Sequence, residues 1–498
     1  MTMPSGLATN MRAGDLLAGV ADAGDLASVN LRGLELDSRN VRPGDAFVAL
    51  RGSIHHGIEF AEAARAAGAV LVLAEGPAPQ EPTWSDGVLW IDGLAAQLGK
   101  LAALLYGDAS RTLKVTGITG TNGKTSSVQM LTQALELLGE RAGSIGTLGA
   151  GLYGDIRPGA RTTPDVITVQ RLLAEQRAAG ASHVAMEVSS HALAQGRVDG
   201  VHFFVAAFTN LTRDHLDYHG SMDAYGAAKA KLFRWPELAH AVINVDDPFG
   251  SVLASQVVAE TCVLRVSARG LADSEMQAAD IATTANGLTF SLRAGGKSGQ
   301  VNSLLLGRFN VANLLIVAGC LLALGFDFDE VVSVLSKLEP IRGRMQRLGG
   351  SGQPLVVVDY AHTPDALEQA LDALRSHCVG RLWCVFGCGG ERDSGKRPLM
   401  GAVAARLADE CIITDDNPRS EDGDSIAAAI RAGMPASTHV TVQRDRARAI
   451  EHAVRSASPR DAILVAGKGH ETQQEARGQK HPFDDVAVAR LALGAPQC

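Results

Sequence analysis

The sequence predicts an α/β protein of three domains: a small N-terminal α/β domain, a central domain on a mostly parallel sheet of the P-loop type, and a Rossmann-like C-terminal domain. Three observations carry this. The chain has 498 residues, enough for about three separately buried cores. Short β-branched runs alternate with helical runs along most of it, the rhythm of a parallel sheet covered on both faces. A glycine-rich loop, Thr116-Gly117-Ile118-Thr119-Gly120-Thr121-Asn122-Gly123-Lys124-Thr125-Ser126, joins one such run to an amphipathic helix. The boundaries fall at residues 1–105, 106–340 and 341–498.

Composition narrows the function. A net charge of −8 without a lysine or arginine tract argues against a nucleic-acid or membrane-surface binder, since phosphate backbones demand a basic footprint. The seven cysteines, at 262, 320, 378, 384, 388, 411 and 498, form neither a C-x-x-C pair nor a zinc spacing, so reduced thiols in a cytoplasmic protein are expected. The N-terminus carries Asp15 and no basic stretch leading into an apolar one, so no signal peptide is expected. The most apolar run, 311–326, contains Asn313 and is shorter than the ~20 residues a membrane span needs, which predicts a core helix and no membrane insertion.

In residues 1–105, strand-like runs and an alanine-rich helix near 60–67 are punctuated by turns at Asp37-Ser38-Arg39 and Arg42-Pro43-Gly44-Asp45. By pattern alone Ser38 and Arg39 are ordinary turn residues. The glycine-rich loop is the first place where chemistry is legible. Leu113, Val115 and Ile118 end a buried strand, and Val128, Leu131, Leu135 and Leu138 repeat at helical spacing until Gly139. A loop at such a turn aims N–H groups at an anion: Gly120 and Gly123 allow the tight backbone, Lys124 reaches terminal phosphates and Thr125 can hold magnesium. A nucleoside triphosphate is the implied ligand.

Further along the central domain, polar clusters follow strand-like runs, where an open α/β sheet gathers ligands. Glu187 ends the run 183–187 and is read as either a magnesium ligand or a salt-bridged structural acid. His215 and His219 stand four apart, but Leu216, Asp217 and Tyr218 between them complete no zinc motif. Thr162 and Thr163 read as a helix N-cap region with Pro164 at the first helical position. Lys229 lies in a helix-forming run where an exposed lysine needs no explanation.

The C-terminal domain opens near Arg344, with strand-like runs at 355–358, 382–386, 411–414 and 463–466. Thr363-Pro364 caps a helix whose Leu367, Leu371 and Leu374 face a core. The loops after the last three runs carry Arg392, Asp416-Asn417-Pro418-Arg419 and Gly467 to Glu471. Side by side they make a pocket with guanidinium groups for carboxylates and acids for an ammonium, suited to an amino acid.

Read together, these motifs resemble the Mur ligases, ATP-dependent enzymes that join an amino acid to a carboxylate. The shared stretches are Gly120-Thr121-Asn122-Gly123-Lys124-Thr125, Glu187-Val188-Ser189-Ser190-His191, Asn210 to His219, Gly307 to Asn313 and Asp416-Asn417-Pro418-Arg419. The resemblance implies ATP as cosubstrate with Mg2+, and a monomer acting on small molecules: a UDP-muramyl dipeptide and meso-diaminopimelate, the latter because relatives that add lysine lack an arginine at 419. It implies catalytic roles for Lys124, Glu187, His215 and Lys229, with Lys229 carbamylated and joining Thr125 and Glu187 at metal. ATP contacts would come from residues 120–126 with Asn310, Arg344 and Asp359. Leu36, Ser38, Thr162, Thr163, Ser189, Gln195 and Arg197 would contact the UDP substrate, with Ser53-Ile54-His55 beside its uridine end. Arg392, residues 416–419, Gly467 and Glu471 would hold diaminopimelate. A folylpolyglutamate synthase, a lysine-adding ligase and a nucleotide-binding switch are the alternatives.

Overall fold

The computed structural model describes residues 10–52, 55–78, 87–284, 287–350 and 352–494; Ser53, Ile54 and Cys498 lie outside the described residues. The chain divides into two compact units, Met1–Val266 with Gly319–Phe326, and Ser267–Ala318 with Asp327–Cys498.

The first unit opens with parallel strands β1 (Gly33–Glu35), β2 (Asp45–Ala49), β3 (Leu71–Glu75) and β4 (Val88–Ile91), hydrogen-bonded in that order. Ala46 to Ala49 and Leu71 to Ala74 are buried without interruption, as in strands covered on both faces. Helix α1 (Ala61–Ala66) buries Ala61 and Ala64, and α2 (Leu94–Leu105) buries Leu94, Leu98, Leu101 and Leu105 at three-to-four spacing.

A larger sheet follows. Its elements are β5 (Lys114–Thr119), α3 (Lys124–Leu137), β6 (Ala142–Gly146), β7 (Gly149–Leu152), β8 (Asp155–Arg157), α4 (Val166–Ala178), β9 (His183–Glu187), α5 (Ser190–Ala194), β10 (Phe203–Phe208), α6 (Leu216–His219), α7 (Met222–Ala230), β11 (His240–Asn244) and β12 (Cys262–Ser267). The strands run β8-β7-β6-β9-β5-β10-β11-β12, parallel from β6 to β12 with β7 and β8 antiparallel. Register pairs Glu187 with Ile118 and Phe208 with Thr119, so the carboxyl ends of β9, β5 and β10 share one edge.

One local expectation gives way here. Pro164 is not the first helical residue: α4 starts at Val166, and Asp165 caps it by accepting from Thr168 N–H, an aspartate being a strong N-cap. His215 and His219 do not share a helix face. His215 precedes α6 in the left-handed conformation, φ 53°, and His219 ends it.

The second unit begins with an antiparallel meander, β13 (Met276–Thr284), β14 (Gly287–Ala294) and β15 (Lys297–Ser303). The strand–helix rhythm expected up to residue 340 misses it, although Leu288, Phe290 and Leu292 alternate inward with period two. Helices α8 (Phe309–Ala323), whose last residues belong to the first unit, and α9 (Phe328–Leu335) follow. Strands β16 (Gln346–Gly349), β17 (Leu355–Asp359), β18 (Leu382–Phe386), β19 (Glu410–Ile413), β20 (Val440–Val442) and β21 (Ala462–Ala466) then form a sheet in the order β16-β17-β21-β18-β19-β20, parallel except for β16. Helix α10 (Pro364–Arg375) is capped by Thr363 and buries Leu367, Leu371 and Leu374. Because β21, β18 and β19 are neighbours, the loops after them meet. Among the described residues no helix is long and apolar enough to cross a membrane.

Candidate active site

The cradle is built by backbone geometry. Gly120 has φ 149° and packs so tightly that a Cβ would strike Thr209 Oγ1, so no side chain fits. Gly123, φ 85°, precedes α3 and leaves its first N–H groups facing outward. Asn122 N–H donates to Asn210 Oδ1 (2.9 Å) and Thr209 Oγ1 donates to Asn122 O (2.7 Å), which fixes the loop against the end of β10. Lys124 Nζ donates to Gly120 O and Thr121 O, both at 2.8 Å.

Two buried charged groups border this loop. Glu187, at the end of β9, accepts from Thr125 Oγ1 (2.9 Å), Thr147 N–H (2.7 Å) and Thr147 Oγ1 (3.2 Å). Its partners are hydroxyls and an amide, and among the described residues it makes no ion pair, which disfavours the salt-bridged structural acid. Gly146 belongs to the same construction, since a Cβ there would collide with Glu187 Oε1. Lys229 is 1% exposed and so is no surface lysine. Its Nζ donates to Gly120 O (2.8 Å), the carbonyl that Lys124 also uses, and lies 4.4 Å from the Tyr225 ring centre. Burial, and then the like charge of Lys124, hold its pKa well below the usual lysine value. Burial also pushes the Tyr225 phenol up to about 12.

Histidines surround the mouth. His191 meets His215 edge-on (4.9 Å between ring centres) and lies against Tyr218 (4.2 Å), while His219 bonds Ser190 Oγ (2.9 Å). Desolvation lowers the pKa of His191, His215 and His219, so all three are neutral bases near pH 7. Four of the expected substrate residues are brought together beside them. Thr163 Oγ1 donates to Glu187 O (2.8 Å) and accepts from Ser189 N–H (3.1 Å); Arg197 donates to Thr163 O (3.1 Å) and to Gln195 Oε1, and Gln195 donates to Tyr218 Oη (3.1 Å). Thr162 Oγ1 accepts from Thr147 Oγ1 (3.1 Å). Leu36 and Ser38 instead line a cavity of about 1300 Å3 that reaches Ile145, Pro164 and Asp165.

Thr147 escaped sequence reasoning. Its signal, a polar residue just past a strand end, was the one that singled out Glu187.

In the second unit Asn310 is buried and bonded to Leu306 O (2.7 Å) and Asn313 (2.9 Å). Asp359 accepts from Met345 N–H (2.7 Å) and Ala361 N–H (2.8 Å), and the Arg344 guanidinium lies 4.8 Å from the Tyr360 ring centre. Burial, and then Arg344, push the neighbouring His470 down to about 4.

The loops after β18, β19 and β21 converge as their strand order requires. Arg419, φ 55°, donates to Gly390 O (2.6 Å) and approaches Glu475 (3.6 Å). Asn417 donates to Glu471 Oε2 (2.9 Å), and Gly467 N–H donates to Asp359 O (3.1 Å). Pro418 packs so closely on Gly390 that a Cβ there would meet its carbonyl, and Arg392 is exposed on the loop after β18. Asp416 is buried with Oδ1 lacking a hydrogen bond, and burial raises its pKa.

Two further residues hold this pocket: Lys468, from the charged loop the sequence singled out, and Arg446, which the sequence did not mark. Lys468, fully buried, donates to Asn417 Oδ1 (2.9 Å) and Glu471 Oε2 (2.8 Å). Arg446 makes a fully buried pair with Asp485 (2.7 Å) and donates to Ala466 O (2.9 Å) and Asp415 O (3.4 Å), tying two of the loops together. Only their burial distinguishes them from surface charges, and burial is not written in local sequence.

Comparison with known proteins agrees with this geometry. Residues 30–106 match the Mur ligase family catalytic domain, 118–321 the Mur ligase middle domain, and 343–469 the Mur ligase glutamate ligase domain. The chain is 53% identical over 487 residues, 98% of each chain, to a UDP-N-acetylmuramoyl-L-alanyl-D-glutamate–2,6-diaminopimelate ligase of Xylella fastidiosa. It is 55% identical over 485 residues, 97% of each, to the enzyme of the same name from Xanthomonas campestris. A solved structure of a ligase of that name aligns with a TM-score of 0.73 at 35% identity, covering 97% of this chain and 99% of the other.

Proposed function

We infer the activity from membership: the chain belongs to the Mur ligase family. It is an ATP-dependent ligase that adds meso-2,6-diaminopimelate to UDP-N-acetylmuramoyl-L-alanyl-D-glutamate in peptidoglycan precursor synthesis, acting as a cytoplasmic monomer with domain boundaries near residues 105 and 340. The observation that carries the site is the pair of buried groups at the glycine-rich loop, Glu187 bonded to Thr125 and Lys229 bonded to Gly120 O.

The chemistry has two steps. The carboxylate of the substrate's D-glutamate side chain takes the γ-phosphoryl group of ATP, ADP leaves, and an acyl phosphate forms. The diaminopimelate amine then attacks the acyl carbon, the carbon–oxygen bond to phosphate breaks, phosphate departs and the amine proton passes to solvent. Lys124 turns from the carbonyls it now holds to the terminal phosphates, where developing negative charge needs a cation. Magnesium keeps waters and phosphate oxygens and needs few protein ligands. Thr125 and Glu187 supply hard oxygens for it, and when bound it would neutralise phosphate charge. The neutral amine of Lys229 adds to carbon dioxide and gives up a proton to solvent, leaving an anionic carbamate that would be a third oxygen donor. The neutral His215 stays at the mouth, and His191 holds it in place. Asn310, Arg344 and Asp359 hold the nucleotide.

The UDP substrate lies along Leu36, Ser38, Thr162, Thr163, Ser189, Gln195 and Arg197. Diaminopimelate binds among Arg392, Asp416, Asn417, Pro418, Arg419, Gly467 and Glu471, its distal carboxylate on Arg419 and its distal ammonium beside the unbonded oxygen of Asp416. The test is phosphate release with ATP, the UDP dipeptide and one amino acid at a time. Release with diaminopimelate and little with lysine or glutamate is expected, and equal release with all three would sink the substrate assignment.

A further inference from the structure

Two cavities of the first unit share a wall. The larger, about 1300 Å3, contains Leu36 and Ser38, and the smaller, about 530 Å3, reaches Arg32, Arg42, Asp45 and Tyr106. Glu35, Arg39, Asn40, Arg171 and Glu175 line both. Glu35 is the last residue of β1, and its carboxylate is divided in use. Oε1 accepts from Leu36 N–H (3.0 Å) and Asp37 N–H (3.2 Å), the first two amides of the loop that follows. Oε2 faces Arg171 Nη1 at 3.7 Å, in a pair whose side chains are 13% and 27% exposed.

Arg171 stands on α4, and α4 is anchored at its other end. Thr163, just before the helix, is bonded to Glu187 O and Ser189 N–H, and Asp165 caps the first turn. From Val166 to Arg171 a helix rises about 7.5 Å, at 1.5 Å per residue. The helix is a strut between the loop at 36–39 and the end of β9 that carries Glu187.

We propose that Glu35 and Arg171 are a positioning pair that fixes the loop at 36–39 to α4, and so sets how the nucleotide end of the UDP substrate is held relative to its reacting carboxylate. This rests on the function proposed above. Neither side chain touches the reacting atoms. A substrate this long is aligned only if the sites for its two ends keep their separation, and the pair is the polar link between the loop and the helix. The surrounding charges do not replace it: Asp37 is spent on Arg39, Asp45 accepts from Arg42 N–H, and Asp165 caps its own helix.

The experiment is steady-state kinetics with each substrate varied in turn, on wild type, Arg171→Met, Arg171→Lys, Glu35→Gln and Glu35→Ala, with calorimetric titration of UDP as a second readout. Arg171→Met raises the KM for the UDP dipeptide about tenfold, the loss of about 1.4 kcal/mol, and leaves kcat and the KM values for ATP and diaminopimelate near wild type. Arg171→Lys recovers most of the loss because the charge remains. Glu35→Ala exceeds Glu35→Gln, whose amide oxygen still accepts from the loop. Unchanged KM for the UDP dipeptide in Arg171→Met, or equal rises for all three substrates, overturns the proposal. A wild type that binds UDP without turnover overturns the ligase assignment instead, and the same variants titrated with UDP then decide the pair: weaker binding supports it and unchanged binding overturns it.

Discussion

Lys229 and Lys468 are both fully buried lysines at candidate ligand sites, one in each compact unit, and they are treated in opposite ways. Lys229 has a backbone carbonyl, an aromatic ring and the like charge of Lys124 around it, and its pKa falls. Lys468 has Glu471 at 2.8 Å, Asn417 at 2.9 Å and Asp416 at 3.9 Å. Burial favours the neutral, nucleophilic form of an amine held by a carbonyl and a ring, whereas an amine set among acids has its countercharges in place and serves as a girder. The same contrast separates the two candidate sites: at the glycine-rich loop the buried amine meets a backbone carbonyl, and in the pocket of the second unit it meets carboxylates.

The largest effect should come from Lys124, which supplies both the phosphate cation and part of the field on Lys229. Lys124→Ala should lower turnover about 10³-fold, at the upper end for removing one charge-stabilising donor, while circular dichroism stays native. Near-normal phosphate release would mean the cradle is misassigned.

Next, the contrast should appear in stability. Lys468→Met leaves Glu471 without the cation it bonds, while Arg446 still acts on Asp416, and should cost about 3 kcal/mol in denaturant unfolding, as breaking a buried pair does. Lys229→Met replaces a buried amine held by a backbone carbonyl and an aromatic ring with an apolar chain and should be neutral or stabilising. Equal destabilisation of the two variants would erase the distinction.

Lys229→Ala should then lower turnover about 10²-fold with substrate KM values little changed, and short carboxylic acids should restore part of it. The pH dependence has a definite sign. Carbamylation needs the neutral amine, which is present above the lowered pKa, so modification read by mass spectrometry should fall as pH drops through that value. An amine that stays unmodified at ample bicarbonate would break this half of the comparison.

The smallest effect is expected at Arg419, the residue proposed to bond the distal carboxylate and set selectivity. Arg419→Ala should raise the KM for diaminopimelate about tenfold, since each 1.4 kcal/mol is a factor of ten, and narrow the preference over lysine. Unchanged discrimination would move selectivity elsewhere in the pocket.

Much of this was legible in the residues. Strict apolar runs marked the parallel strands, Thr363-Pro364 marked the start of α10, and the glycine pattern marked the cradle, because each is a local backbone or burial demand that a short stretch must satisfy by itself. The meander at 276–303 was not read, its alternation being interrupted by polar residues, and Pro164 was overtaken by the better cap beside it. Arg446 and the Glu35–Arg171 pair carried no local mark at all. The sequence by itself determined most of the parallel strands and the helices between them, and that a glycine-rich loop opens one of those helices. Only the tertiary structure decided which of two buried lysines has an acid beside it, because a side chain's charge is set by what lies within a few ångströms in space, and those neighbours come from strands far apart in the chain.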